Sequence, residues 1–415
     1  MRRALFIISA FLALTPSMAV AGGFSISSIS GFAQANYSLA VDASNPDNGD
    51  MKWAEEIVEL QMDEGLEHLR IFLKADASLD HIDDKGDIEI REAFVNLARE
   101  FWDMRIGRQI ITWGVGDLVF INDVFPKDYE AFFSGRPLEY LKKGVDAIKV
   151  GAYPDLASFE LVIMPFFEPD NLPDPGRFWM FDPMPDITRR IEDEPASGLE
   201  NTELALRAYR GIYGFDASLY AYHGFYRTPF MLPYGIGPDA GITLTYPELS
   251  VYGVSLQGNG LGGVLSVEAG YYDSTEDDHG DDPFIPNSST KLLLGYQRQI
   301  IEDMTMTIQY YGEYMRDYDE YKKGLTDATT AYPRLRDLAS LRMTYLLMHQ
   351  DLRLSWFSFR SLSDGDYFLN PEARYNFSDN LWAAVGANIF AGEAGTQFGS
   401  LDGNDCVYMQ ARYGF

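Results

Sequence analysis

Apolar and polar residues alternate with a period of two along many stretches of the chain. In the stretch LRIFLKADASL, residues 69–79, the odd positions are apolar and the even positions are mostly polar or charged, as at Lys74 and Asp76. Successive side chains of an extended strand point to opposite faces, so each such stretch predicts a β-strand with one apolar face. The same pattern recurs at residues 304–314, 338–347 and 381–389.

Eighteen stretches read as candidate strands, and their connections alternate in length. Connections after even-numbered strands are short, whereas those after odd-numbered strands are mostly longer and polar. A β-sandwich has no reason to sort its loops by strand parity, but a transmembrane barrel with short periplasmic turns and long extracellular loops does. The sequence therefore predicts an all-β, antiparallel transmembrane β-barrel of 18 strands, or of 16 because the stretches near 149, 162 and 252 alternate poorly. The strand centres lie near residues 35, 58, 74, 92, 108, 149, 162, 206, 220, 252, 267, 295, 309, 343, 356, 372, 385 and 409.

The first 21 residues have the pattern of an export signal. Arg2 and Arg3 precede an uncharged apolar stretch at 4–14, and Ala19-Val20-Ala21 supplies the small residues of a cleavage site. The apolar stretch is too short for a stable membrane helix, and no later run of 18 apolar residues follows. We expect residues 1–21 to be a cleaved signal peptide and residues 22–415 to form one outer-membrane barrel domain.

The final strand, residues 407–415 (VYMQARYGF), ends in an aromatic residue on its apolar face. A carboxy-terminal Phe on such a strand resembles the signal that the bacterial barrel-assembly machinery recognises. Tyr413 and Phe415 are therefore the candidate assembly residues, although a closing strand that merely ends in Phe is the alternative. Together with the export signal, this predicts the bacterial outer membrane as the location.

Composition excludes several other functions. The 33 Lys and Arg residues against 62 Asp and Glu give a formal charge of −29, which argues against nucleic acid as a partner because phosphate backbones require a basic surface. Cys406 and five scattered His residues offer no thiolate zinc site, and no G-x-S-x-G nucleophile motif is present. We therefore expect no enzyme activity, no cofactor and no metal site. The acidic stretch 276–282 is expected to bridge lipopolysaccharide through divalent ions.

One stretch carries a resemblance to known proteins. Gly107-Arg108-Gln109 and Trp113-Gly114 stand in the string GRQIITWG, which a long loop rich in Asp, Phe and Pro follows. This resembles the first third of porin-like bacterial outer-membrane proteins, and is similar to the alginate-export type and to uncharacterised families of the same superfamily. The resemblance implies a channel without implying a solute.

That loop, residues 116–143, is the third on the loop-rich side and is called the third loop below. It is rich in Phe, Tyr and Leu, and so much apolar surface predicts that it packs inward instead of staying in water. In trimeric porins the third external loop folds into the lumen and sets the constriction, and this loop resembles it in position and composition, which also implies a possible homotrimer. The alternative is a lid packed over the mouth.

Charge placement suggests how such a pore would select solutes. Acidic residues of the third loop facing arginines of the wall would set up a transverse field that discriminates solutes by charge and dipole. The predicted function is passive diffusion of small hydrophilic or charged solutes, with outer-membrane lipids and lipopolysaccharide around the barrel. The alternative is a scaffold barrel that sheathes or docks a partner protein, such as an electron-carrying cytochrome. The candidate constriction residues are Asp117, Asp123, Asp128 and Glu130 in the loop, with Arg70, Arg108 and Arg374 in the wall.

Overall fold

A computed structural model describes residues 29–41, 49–235, 237–325 and 331–415, so the predicted signal peptide lies outside the described residues. Eighteen strands form one antiparallel sheet, and three short strands form a second sheet. The barrel strands are β1 (Ile29–Ala40), β2 (Met51–Leu66), β3 (Leu69–Asp80), β4 (Lys85–Ala98), β5 (Trp102–Gln109), β6 (Val145–Ala152), β7 (Ser158–Met164), β9 (Glu203–Ile212), β10 (Phe215–Phe225), β13 (Glu248–Gly260), β14 (Gly263–Ser274), β15 (Ser289–Ile301), β16 (Met304–Met315), β17 (Leu335–Leu347), β18 (Leu352–Ser361), β19 (Tyr367–Asn376), β20 (Leu381–Ala391) and β21 (Cys406–Gly414).

The sheet closes on itself because the first strand pairs with the last. The register between β1 and β21 runs from Phe32 opposite Gly414 to Ala40 opposite Cys406. Each predicted strand centre falls within one barrel strand, so the prediction of 18 strands is confirmed and the alternative of 16 is wrong.

Exposure alternates along the strands as the sequence pattern predicts. In β16 the Ile308 side chain is 46% exposed, whereas the next residue, Gln309, is 3% exposed. In β21 Met409 is exposed and Gln410 is buried. The apolar face therefore points away from the barrel, and the more polar face points into its interior.

The second sheet was not predicted from the sequence. It consists of β8 (Arg190–Asp193), β11 (Phe230–Tyr234) and β12 (Gly241–Thr245), with β12 antiparallel to β11 and parallel to β8. These strands lie in the two long connections after β7 and β10, so the sheet joins two neighbouring loops on the loop-rich side.

Among the residues that the structure describes, helices are confined to short elements in the connections. The α-helices are α1 (Tyr129–Ser134) and α2 (Tyr318–Gly324), and the 3₁₀ turns are Leu138–Leu141, Leu199–Asn201, Gly237–Asp239, Met348–Gln350 and Gly399–Leu401. None of the helices in the described part of the chain is long and apolar enough to cross a membrane.

Candidate functional site

The third loop and the barrel wall share one buried apolar cluster. Ile121 and Phe125 of the loop are 0% and 2% exposed and belong to the same cluster as Leu293 of β15. The ring of Phe133 lies 5.7 Å from that of Phe368 in β19 and 5.4 Å from that of Phe390 in β20, measured between centroids. The apolar side chains of the loop are therefore covered by wall residues that face the interior.

A single wall carboxylate holds the start of the third loop. Glu268 of β14 is fully buried, and its Oε2 accepts hydrogen bonds from the backbone N–H groups of Val115 (2.8 Å) and Gly116 (3.1 Å). Its Oε1 accepts a third from the N–H of Asn122 at 2.7 Å. Three backbone donors satisfy much of the hydrogen-bonding capacity of a carboxylate, so a buried charge is stabilised by fixing the loop to the wall.

Glycines allow the loop to approach this close. Gly114 has a φ of +77°, and a Cβ there would lie 2.7 Å from Glu268 Oε1. Gly253 and Gly270 face each other across β13 and β14, where a Cβ would lie 1.6 Å from Asn122 Oδ1 and 2.7 Å from Ile121 Cγ2, respectively. Side chains at these wall positions would displace the loop.

The next contact along the loop is an ion pair with the wall. The guanidinium of Arg342 in β17 donates to both carboxylate oxygens of Asp117, with Nε 2.5 Å from Oδ2 and Nη2 3.0 Å from Oδ1. The N–H of Asp117 also donates to Gln309 Oε1 of β16 at 3.2 Å. Two planar groups paired in this way fix each other's orientation as well as their separation.

The short helix α1 contacts the wall strands β20 and β21. Asp128 caps its start by accepting a hydrogen bond from the N–H of Ala131 at 2.7 Å. At its end, Asn388 Nδ2 donates to the carbonyl of Phe133 at 2.7 Å, and Gln410 Nε2 donates to the carbonyl of Gly135. Side chains of the wall thus satisfy carbonyl groups that a helix end leaves without intrahelical partners.

The last part of the loop contributes to a charge cluster with β2, β4 and β21. Arg136 lies 3.2 Å from Glu55 in β2 through its Nε, and Arg91 Nη2 of β4 donates to the carbonyl of Glu139 at 2.6 Å. Glu139 forms an ion pair with Arg412 of β21. Together with the contacts above, the third loop makes hydrogen bonds or ion pairs with the barrel strands β2, β4, β14, β16, β17, β20 and β21.

Two acidic residues of the third loop have partners in the long connections and not in the barrel wall. Asp123 forms ion pairs with Lys127, at 3.1 Å, and with Lys142. Glu130 in α1 accepts a hydrogen bond from Asn171 Nδ2 at 3.3 Å. Burial first, and then the neighbouring charge of Asp128, raise the pKa of Glu130 to about 7, although the charge of Arg177 opposes the shift.

The structure places the three predicted wall arginines away from the predicted acids. Arg70 pairs with Asp63 at the short-turn side, 2.7 Å away, and Arg108 lies 3.5 Å from both Asp146 and Glu168. Arg374 donates to Asn376 Oδ1 and stacks on Trp382, with its guanidinium carbon 4.1 Å from the ring centroid. None of these three arginines therefore pairs with the predicted acids of the third loop, which are Asp117, Asp123, Asp128 and Glu130.

Sequence reasoning missed the wall residues that do hold the loop. Arg342 and Glu268 lie on the polar faces of their strands, where nothing in the alternation separates them from other charged residues. A recognisable signal was present in β18, β19 and β20, where aromatic residues occupy positions that the alternation assigns to the interior. These are Phe357, Phe359, Phe368 and Phe390, all of them buried.

Comparison with known proteins finds similar folds among solved structures but no match among protein-family profiles or curated sequences. No protein-family profile matches the sequence, and no curated protein matches it. Among solved structures, the chain is similar to Pseudomonas aeruginosa OccD3 (OpdP), with 12% identity, a TM-score of 0.55, and 94% of this chain and 91% of that chain covered. It is also similar to Pseudomonas aeruginosa OccK11 (OpdR), with 10% identity, a TM-score of 0.55, and 96% and 98% covered. Acinetobacter baumannii OccAB2 matches with 10% identity, a TM-score of 0.54, and 93% and 97% covered.

Proposed function

We propose that this protein is a bacterial outer-membrane channel for passive diffusion of small hydrophilic or charged solutes, with the third loop folded inward as its constriction. The supporting observation is the set of bonds from the loop to wall strands on many sides, from Glu55 in β2 to Arg412 in β21. Charged side chains of both signs face the interior beside it, and such groups select solutes by charge.

The same contacts favour a channel over a scaffold barrel. A passenger protein needs an open interior, whereas Phe132 and Phe133 of the loop pack on wall aromatics there. The partners and location follow from the proposal: outer-membrane lipids and lipopolysaccharide around the barrel, the barrel-assembly machinery during insertion, and a possible homotrimer. The resemblance to the alginate-export type rests on the Gly107 to Gly114 string and stays a prediction.

Within the proposed constriction we assign Asp117 and Arg342 as the principal pair of opposite charges. Both are partly exposed, with side-chain exposures of 33% for Asp117 and 24% for Arg342, so a passing ion can sense their fields. Asp123 is a weaker candidate because it is buried between Lys127 and Lys142.

Planar-bilayer recording on the detergent-purified mature protein tests the proposal. A constricted channel gives discrete conductance steps of uniform size. A scaffold barrel without its passenger gives no steps or a single very large conductance, and either result would exclude the diffusion channel. Surface labelling of intact cells provides the matching test of location.

A further inference from the structure

A cavity of about 270 Å³ lies between the third loop and the wall, near the loop-rich end of β16, β17 and β18. Residues of the loop form one side of it, including Tyr129, Phe132 and Phe133 from α1 and its neighbourhood. The other side comes from the wall and the connection after β20, including Tyr311, Phe359 and Phe398. The volume is slightly below the ~300 Å³ at which pockets for drug-sized ligands begin, so the cavity suits a small molecule with one ring.

The lining combines aromatic rings with an excess of negative charge. Seven aromatic side chains line the cavity, and the charged residues beside them are Glu313, Asp337 and Asp364 against Arg336. The faces of aromatic rings carry negative electrostatic potential and attract organic cations. Lys291 pairs with Glu313 at 3.5 Å, but an anion bound next to Arg336 would still meet the carboxylates of Asp337 and Asp364, so the lining disfavours anions.

One of these carboxylates is available to a ligand. Glu313 accepts a hydrogen bond from Ser289 Oγ at 3.0 Å and forms an ion pair with Lys291 at 3.5 Å. Asp337 accepts a hydrogen bond from Ser363 Oγ at 2.6 Å. For Asp364, only the backbone N–H is bonded within the described ranges, to Ser361 Oγ at 3.0 Å. Its carboxylate therefore borders the cavity with no donor from the described residues.

We infer that this cavity is a binding site for a small aromatic or alkyl ammonium ion, with the apolar part of the ligand among the rings and the cationic group beside Asp364. Binding needs only the cavity, whereas the further assignment of such cations as solutes of the pore rests on the channel function proposed above. A solute held here would sit at the loop-rich side, next to Leu118 and Phe120 of the third loop.

The test compares three probes of similar size on the full mature chain in detergent, by isothermal titration calorimetry: benzyltrimethylammonium, benzyl alcohol and phenylacetate. We expect the cation to bind about tenfold more tightly than the other two, the range that aromatic and carboxylate contacts to a desolvated cation provide. Equal binding of the neutral probe, or tighter binding of phenylacetate, would overturn the inference.

Two variants locate the site, and a third serves as the control. Asp364→Asn and Phe132→Leu should each weaken binding of the cation about fivefold. Asp379→Asn, at the short connection between β19 and β20, should leave it unchanged. Circular dichroism melting shows whether each variant is folded, and unchanged binding by a folded Asp364→Asn protein would overturn the site.

Bilayer recording with the same probes separates this inference from the channel function. Brief blockades by benzyltrimethylammonium that Asp364→Asn shortens would support both. Discrete channels without any preference among the three probes would leave the channel function standing and overturn the site as a solute site. Cation binding without channels would overturn the channel function, and with it the role of the cation as a solute.

Discussion

Asp117 and Arg342 lie 225 positions apart in the chain and form a bidentate ion pair, with Nε 2.5 Å from Oδ2. The pair joins the third loop to β17 and leaves both side chains partly exposed. Because one member is acidic and the other basic, replacing either residue by a neutral one leaves the opposite charge without its partner.

The first prediction follows from this pair. Asp117→Asn leaves Arg342 unpaired and should shift ion preference toward anions, whereas Arg342→Gln leaves Asp117 unpaired and should shift it toward cations. Each change should alter the ratio of potassium to chloride permeability by about twofold, as expected for one fixed charge in a partly screened passage. The reversal potential in a salt gradient measures it. Asp278→Asn in the acidic stretch 276–282 is the control. A shift toward anions by Asp278→Asn as large as that by Asp117→Asn would contradict a special role for the pair.

The second prediction concerns the anchor at Glu268. Glu268→Ala leaves three backbone N–H groups, those of Val115, Gly116 and Asn122, without their acceptor. The loss should cost about 3 kcal/mol in the free energy of unfolding, since unpaired buried donors are expensive, and should loosen the third loop. Urea unfolding and the noise of single-channel currents report the two effects.

A second substitution tests the same contact from the loop side. Gly114→Ala places a Cβ 2.7 Å from Glu268 Oε1 at a φ of +77°, so it should lower the stability as well. Glu302→Gln, at the short turn between β15 and β16, is the matched control. If the Glu268→Ala protein unfolded at the same urea concentration as the wild type, the carboxylate would not be what holds the loop.

The third prediction concerns the two faces of the wall. Ile308 is 46% exposed on the outer face, and Ile308→Arg should cost about 2 to 4 kcal/mol if the position lies near the bilayer midplane. Thr344, opposite Thr305 on the inner face, should accept Arg with little loss. Gln309 is a poor control because its amide oxygen accepts hydrogen bonds from Asp117 and Ser340. Folding titrations in lipid vesicles measure the difference, and equal costs at 308 and 344 would contradict the assignment of the outer and inner faces.

Much of the fold was predictable because a barrel wall imposes a period of two on each strand. All 18 strands were found, including those near 149, 162 and 252 where the alternation is poor, since loop lengths sorted by parity supplied an independent signal. The sheet of β8, β11 and β12 was missed because its strands are only four or five residues long, too short for a period to be recognised.

The contacts of the candidate site were less predictable than the strands. The composition of the third loop indicated that its apolar residues would be covered, but the partner of each charge depends on the path of the loop. Asp117 meets Arg342 because the buried carboxylate of Glu268 fixes the backbone just before it. Nothing in the local sequence encodes that meeting, so the prediction selected Arg70, Arg108 and Arg374 from a larger set of wall arginines.

The fourth prediction concerns Phe415, whose side chain is 54% exposed. Its backbone N–H donates to the carbonyl of Gly31 at 2.9 Å, and its carbonyl accepts from the N–H of Gly31 at 3.0 Å. Phe415→Ser keeps both backbone bonds and removes only the outward aromatic ring. We expect less protein in the outer membrane and more protease-sensitive periplasmic material. Met409→Ser, farther back on the same face, should insert more normally, and equal surface levels for Phe415→Ser and wild type would exclude the ring as an assembly signal.

The last prediction uses the titration of Glu130, whose pKa rises from an ordinary value of 4.5 to about 7 in the folded protein. Because the folded state binds this proton more tightly than the unfolded state, the contribution of Glu130 to stability is fully present below pH 4.5. It is lost as the pH rises through about 7, and the loss is on the order of 3 kcal/mol. Glu130→Gln does not titrate, so its melting temperature should change less between pH 5 and pH 8 than that of the wild type.

Thermal melting in detergent at the two pH values makes the comparison, with Glu100→Gln, at an exposed short turn, as the control. Glu130→Gln keeps an oxygen that can accept the hydrogen bond from Asn171, so a difference confined to pH 8 isolates the charge from the bond. If the Glu130→Gln protein lost stability equally at both pH values, the loss would not depend on the charge of Glu130, and the raised pKa of this residue would not explain the pH dependence. If it gained stability only at pH 8, the carboxylate would be identified as a charge that the folded third loop holds at a cost.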